Sequence, residues 1–534
     1  MSRTLPPRLA ALVGLVLAVC LSGCAAGSDP APSNSASKDL RIAINLADMA
    51  SLDLARVSAD AMLAVVPLFG QTLVSVNPDD VTKLDPMLAE SWEVSDDASS
   101  VTFTLRQDVT FSTGRPMTAE DVKFSFDRVK NIQGAPSDKL QSIESTTVID
   151  DHTIRFDLVA PDSGFVASTA TLFFAIMDSQ EVIAQGGASD VAAVDTDDAQ
   201  SFLDANTVGT GPYQLREWRR NEQAVFEPNP EYWGEEEPAF DTITFADIRE
   251  PATQAQLIQR GDVDVALDID ADTAAGLPTD NGVEVLTTPS FNLIYMALNN
   301  ASADVPAFGD LRVRQAVQKV IDYDGISKGL AQGSPRPAAA VPLGFLGADD
   351  IEPVATDVEG AKQLMAEAGY EDGFDVEVSF ANVVQYGVPL NALWEKLASD
   401  LAQIDIRLTL KPTEFDSWIE AYRAGELPMT SSFYGPDFFD TSMFLDPFGR
   451  NDGVVALRVA MDIPGNQALF DEYKASTDQE LRRDLAEQMI TAMRDDASII
   501  TIVQPKKIIA HRDDLSGVAY SPTSNVTVLD ITRS

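Results

Sequence analysis

The chain has 534 residues, with 83 acids against 38 bases and two His, for a formal charge of −45 at pH 7. That balance excludes the basic surface that a nucleic-acid partner needs, and the length allows two or three domains. Only two Cys occur, Cys20 and Cys24, so no disulfide framework is expected, and a chain of this size buries enough core to do without one.

Arg3 and Arg8 precede an apolar run from Leu9 to Leu21. The run is too short to span a bilayer, which takes about 20 residues, but it suits the core of a secretory signal. It ends in Leu21-Ser22-Gly23-Cys24, which resembles a bacterial lipobox. That resemblance implies cleavage before Cys24, a diacylglyceryl group on its thiol, and a protein held to the outer face of the cell membrane. Residues 1–23 carry two Arg and no acid, so the mature chain would hold 83 acids and 36 bases, about −47. The acids are dispersed, as on a solvated surface. Residues 24–38, rich in Ser, Ala, Pro and Gly, read as a tether. No later apolar run is long enough to cross a membrane.

Elements then follow in order. Leu40 to Asn45 alternates and predicts a strand, and residues 58–69 predict a helix. Val101 to Leu105 predicts a strand. Thr118 with Asp121 predicts a capped helix start, with Phe124, Phe126 and Val129 near one face. Thr153 to Leu158 alternates again, and residues 185–206 read as loop or weak helix. Beyond 205 the pattern turns to alternating helices and strands. Pro251 to Arg260 is a predicted helix stopped by Gly261, before a buried strand from Val263 to Leu267. Asp310 to Ile321 is amphipathic. Thr356 and Glu359 predict a capping box, as do Thr477 and Glu480 before the last long helix. Strands are predicted at Phe374 to Phe380, Ile406 to Leu410 and Ile499 to Val503, with a helix from Leu390 to Ile404. This alternation argues for an α/β class.

Catalytic chemistry has no positive sign. His152 and His511 lie far apart in sequence, and H-E-x-x-H and G-x-x-x-x-G-K-[ST] are both missing. Gly209-Thr-Gly-Pro-Tyr213 is Gly-rich but lacks dinucleotide-loop spacing. No metal site and no cofactor are expected.

Four segments together resemble one family. They are Leu88-Ala-Glu-Ser-Trp92 running on through Asp121-Val122; Val208 to Tyr213 with Asn229 to Gly234; Leu298-Asn299-Asn300 with Asp310 to Ala316; and Ala361 to Tyr370 with Gly373-Phe374. In that order they resemble family 5 extracellular solute-binding proteins of ABC importers, which bind dipeptides, oligopeptides and nickel. The resemblance implies a two-lobe α/β fold of the periplasmic-binding kind (type II, cluster C-like), with an inserted subdomain in the first lobe. The implied division is 39–75, 205–288 and 500–534 for lobe I, 76–204 for the insertion, and 289–499 for lobe II. Crossings would fall near 285–292 and 494–503, and a solute would be buried between lobes by hinge closure.

The densest aromatic run, Phe433-Tyr434-Gly435-Pro436-Asp437-Phe438-Phe439, sets an acid in a turn among rings, which suits a cation or amine. The rival is a packed loop in which Asp437 caps residues 438–440. In peptide binders of the family an Asp here holds the ligand's amine, and Asp437 matches it. Tyr434 stands where Trp is usual. Dipeptide binders place an Arg two residues before the Tyr that matches Tyr386, and Val384 stands there instead, which disfavours a free carboxylate at that point. The candidate ligand residues are therefore Asp437, Tyr434, Gly435, Phe433 and Tyr386. The expected function is a monomeric, lipid-anchored receptor that passes a peptide or peptide-like solute to a membrane permease. Alternatives are another solute (an oligosaccharide, an opine-like compound or a metal chelate), a sensor lipoprotein, or a secreted hydrolase.

Overall fold

The structure is a computed structural model that describes residues 38–78, 80–278 and 282–534. The expected signal, Cys24 and residues 24–37 of the tether lie outside the described residues. Among the described residues no helix is long and apolar enough to cross a membrane.

Two large hydrophobic cores organise the molecule. The first is built on a seven-stranded sheet, in the order Val283–Pro289, Lys506–Arg512, Val265–Ala266, Asp39–Ile44, Thr242–Asp247, Gln223–Pro228, Tyr213–Arg219. Asp39–Ile44 runs parallel to both of its neighbours, and the outer pairs are antiparallel. The same core extends into a four-stranded antiparallel sheet of Ala89–Val94, Ser100–Leu105, Thr153–Leu158 and Ile143–Asp150. The second core surrounds a three-stranded sheet with Leu293–Leu298 between Met429–Tyr434 and Ile499–Val503. All six residues of Leu293–Leu298 and all five of Ile499–Val503 are buried. That burial on both faces, of the polar Thr501 as well, reflects a sheet covered on both sides. A parallel pair, Phe374–Ala381 with Ile406–Thr413, joins the same core.

Among the described residues the chain passes between the cores twice, at residues 290–292 and at 504–505. The second passage falls later than the expected 494–503. Ile499–Val503 pairs with Leu293–Leu298 and so completes the second sheet. The two passages are tied together. Ser290 Oγ donates to Pro505 O at 2.6 Å, and Gln504 Nε2 donates to Ser290 O at 2.6 Å.

Several local expectations shift. Phe124 and Phe126 do not share a face of the helix Ala119–Ile132. Two positions apart is about 200° around a helix, so Phe124 packs with Met177 and Val182 while Phe126 and Val129 enter the main core. The two expected Thr caps move by one residue. Asp357 accepts from Gly360 N, and Asp478 from Glu480 N. A carboxylate there also favours the positive end of the helix dipole. Residues 179–203 form three short helices, packed on Phe124 through Val182 and Leu203 and tied by charge as well. Arg128, fully buried, forks onto Asp53 at 2.6 and 2.7 Å and onto Asp197 at 2.8 and 2.9 Å.

Candidate functional site

Between the two cores lies a cavity of about 950 Å³. The first core contributes Asp48, Asp60, Asp268 and Lys507, and the second contributes Tyr386, Phe433, Tyr434, Gly435 and Asp437. The five residues singled out from the sequence therefore line one wall together.

Each is positioned by its own element. Phe433 and Tyr434 end the strand Met429–Tyr434. Phe433 stacks on Trp418 (ring centroids 6.0 Å apart) and meets Tyr386 edge-on at 5.9 Å. The Tyr434 ring is set edge-on between Phe444 and Phe448, at 5.8 and 5.0 Å, and burial, with the Asp437 charge adding, pushes its phenol up. Tyr386 is the first residue of a two-residue turn between Val384–Gln385 and Val388–Pro389. Tyr386 and Gly387 both have positive φ, 49° and 77°, as a tight hairpin turn of this length requires. A Tyr in that region is unusual, and here it aims an aromatic ring at the cleft wall. Burial, helped by the Asp60 charge, pushes its hydroxyl well up. Gly435 lets the chain pass close to Asn292, whose side-chain oxygen would have to move for a Cβ, and that Cβ would lie 3.5 Å from the Tyr386 hydroxyl.

Asp437 is paired. Lys139 Nζ lies 2.7 Å from its Oδ2, and its backbone O accepts from Thr171 Oγ1 at 3.1 Å. It caps nothing at 438–440. The capping carboxylate in this stretch is Asp440, which accepts from Ser442 N at 2.9 Å at the start of the helix Ser442–Gly449 and pairs with Arg482 at 2.6 Å. Phe439 belongs to the core, stacked on Phe345 at 5.5 Å. The aromatic run thus divides into a cleft-lining half and a structural half. Val384 is exposed and lines the cavity, so no guanidinium is presented at that point.

The opposite wall was not read from the sequence. Asp48 and Asp60 are open to the cavity but walled by protein on their other sides, and burial pushes both carboxyls up. For Asp60 the neighbouring Asp48 charge adds to this and Lys507 opposes it. Asp60 N donates to Asp48 Oδ2 at 2.9 Å. Asp268 accepts from Asn45 N at 2.7 Å and lies 3.8 Å from Lys507 Nζ. A signal for two of these was available. Asp48 and Asp268 follow the carboxyl ends of the parallel strands Asp39–Ile44 and Val265–Ala266, the edge where ligands of α/β sheets collect.

Among the described residues no group of three or more His, Cys, Asp or Glu could hold a metal. Gly325-Ile326-Ser327-Lys328-Gly329 has the spacing of a nucleophile elbow, but it lies within the helix Tyr323–Leu330, and Ser327 Oγ donates to Ser334 O at 2.7 Å. His511 Nδ1 sits 2.9 Å from Arg512 O, and neither His lines the cavity.

Two α/β cores joined by paired crossings around a deep mixed cavity define a two-lobe solute-binding protein. The chain belongs to the bacterial extracellular solute-binding proteins, family 5, whose middle-region model matches residues 83–455. A probable D,D-dipeptide-binding periplasmic protein of Escherichia coli is 28% identical over 83% of this chain and 83% of its own length. Heme-binding protein A of Haemophilus influenzae is 26% identical over 83% of this chain and 82% of its own. The fold matches an ABC-transporter-associated periplasmic binding protein of Helicobacter pylori, solved with the peptide STSA. That match has a TM-score of 0.75 and 23% identity, over 93% of this chain and 98% of that one.

Proposed function

We propose that this chain is the lipid-anchored receptor of an ABC importer. It takes a peptide or peptide-like solute into the cavity between its lobes, with the solute's amino end at Asp437, and passes it to a membrane permease. The observation that carries this reading is the composition of the cavity. Aromatic walls at Tyr386, Phe433 and Tyr434 flank a carboxylate, with further acids opposite, and such a lining suits a cation or amine. The volume falls within the roughly 300–1,000 Å³ of small-molecule sites, enough for a short peptide. The dipeptide-binding name of the E. coli relative and the peptide in the H. pylori structure support the same class.

Native mass spectrometry of the purified protein tests it. A mass excess that leaves on denaturation and sequences as a peptide supports the reading, and the same spectrum reports whether the chain is a monomer. A retained sugar, opine or metal chelate replaces the peptide with that solute. The anchor is tested separately. One acyl chain holds a protein only marginally, so stable attachment takes two or more, and Cys24→Ser is expected to move the protein from the membrane fraction into the medium. Retention at the wild-type level removes the lipid assignment.

A further inference from the structure

Lys139 reaches Asp437 from outside the cavity. Asp437 lines the cavity wall and Lys139 does not, yet their charged atoms lie 2.7 Å apart, with side chains 18% and 32% exposed. The ammonium comes from the body of the first core and the carboxylate from that of the second. Both ends are fixed. Gly134 opens the turn before Lys139, and a Cβ there would run into Ala55 O, while Leu140 is fully buried. Thr171, from the same body as Lys139, holds the Asp437 carbonyl beside it.

The pair is not what ties the two bodies together here. Ser163 N donates to Lys474 O at 2.8 Å, Lys474 pairs with Asp162, and a Cβ on Gly164 would sit 3.0 Å from Asp440. What Lys139 alone supplies is a positive charge on the far side of the one acid set among the cleft's aromatic rings.

We propose that Lys139 is the built-in counter-ion of Asp437 and sets the specificity of this subsite: the cleft accepts peptides with an acylated amino end as well as those with a free ammonium. The inference rests on the reading that the solute's amino end lies at Asp437. A site with a lone carboxylate rejects a ligand lacking the cation, because binding then strands a desolvated charge. Here the blocked end leaves Asp437 still paired. A free ammonium, in turn, shares the carboxylate with Lys139 and is repelled by it, so it gains less. Lys139 exchanges discrimination for breadth.

Calorimetric titration of trialanine and N-acetyltrialanine tests this in the full-length protein, in Lys139→Gln, Lys139→Arg and Asp437→Asn, with a thermal melt of each. The wild type is expected to prefer the free amine by less than about tenfold, under about 1.4 kcal/mol. Lys139→Gln is expected to widen that ratio roughly ten- to a hundredfold, the size expected for one stranded charge. Lys139→Arg keeps the wild-type ratio, and Asp437→Asn brings it near one. An unchanged ratio in Lys139→Gln overturns the inference, as does an equal loss for both peptides or a lowered melting temperature with the ratio intact. Failure of the amino-end reading shows in a different place, the Asp437→Asn ratio, which would then match the wild type. If the wild type binds neither peptide, this inference falls.

Discussion

Asp437 and Asp60 present carboxylates to one cavity under opposite conditions. Asp437 has Lys139 at 2.7 Å, whereas Asp60 makes no ion pair among the described residues and feels Asp48 beside it. Burial, then the Asp48 charge, holds the Asp60 carboxyl above its ordinary value. A carboxyl whose folded value exceeds its unfolded one keeps its proton longer in the native state, so stability falls as pH rises through that interval and is regained below it. Asp60→Asn removes this cost. We expect the variant to melt higher than the wild type at pH 7 and the two curves to converge as pH falls toward about 4, the ordinary range of Asp. Affinity for a cationic solute should drop at the same time, since the charge serves the cavity and not the fold. A variant no more stable than the wild type at pH 7 would remove Asp60 from this role. The Phe433–Asp437 wall was legible because its residues are neighbours in sequence. Asp60 was not, because its surroundings come from two bodies meeting, and its own neighbourhood reads only as a helix start.

At the scale of elements, the buried charges of Arg128, Asp53 and Asp197 do what hydrophobic period does elsewhere. They tie the loop at 51–56 to the helix Ala119–Ile132 and to the weakly patterned stretch at 185–198. Arg128→Met leaves two buried carboxylates without their main partner, and breaking such a set typically costs about 3–5 kcal/mol. Urea denaturation should show this as a lower midpoint with the slope unchanged. A midpoint within error of the wild type would mean that the network is dispensable. Composition alone read this stretch as loop because a carboxylate that meets a guanidinium across more than 60 residues leaves no local mark. The hairpin carrying Tyr386 was hidden for a similar reason. Its strands are two residues each, and only the Tyr-Gly pair at its tip hints at positive φ.

For the whole molecule, the two-lobe plan was legible through ordered family motifs rather than through periodicity, which reached only as far as an α/β class. The passage at 504–505 was displaced because Ile499–Val503 reads equally well as the last strand of either body. Acids from both cores line the cavity, so a cationic solute that touches both is favoured only with the lobes together. Small-angle scattering should give a smaller radius of gyration at saturating solute than without it. An unchanged radius would argue that the solute binds one lobe alone.

The bonded crossings carry a mechanical consequence. A single strand between two bodies would act as a swivel, free to bend, twist and slide. Two strands side by side, held by Ser290, Gln504 and Pro505, act as a strap. They leave one soft rotation, across the pair, and stiffen the other motions. The path between splayed and shut lobes then reduces to a single coordinate. Fluorescent labels placed at any two sites on opposite lobes should follow the same transition, with one rate and one midpoint, wherever they sit.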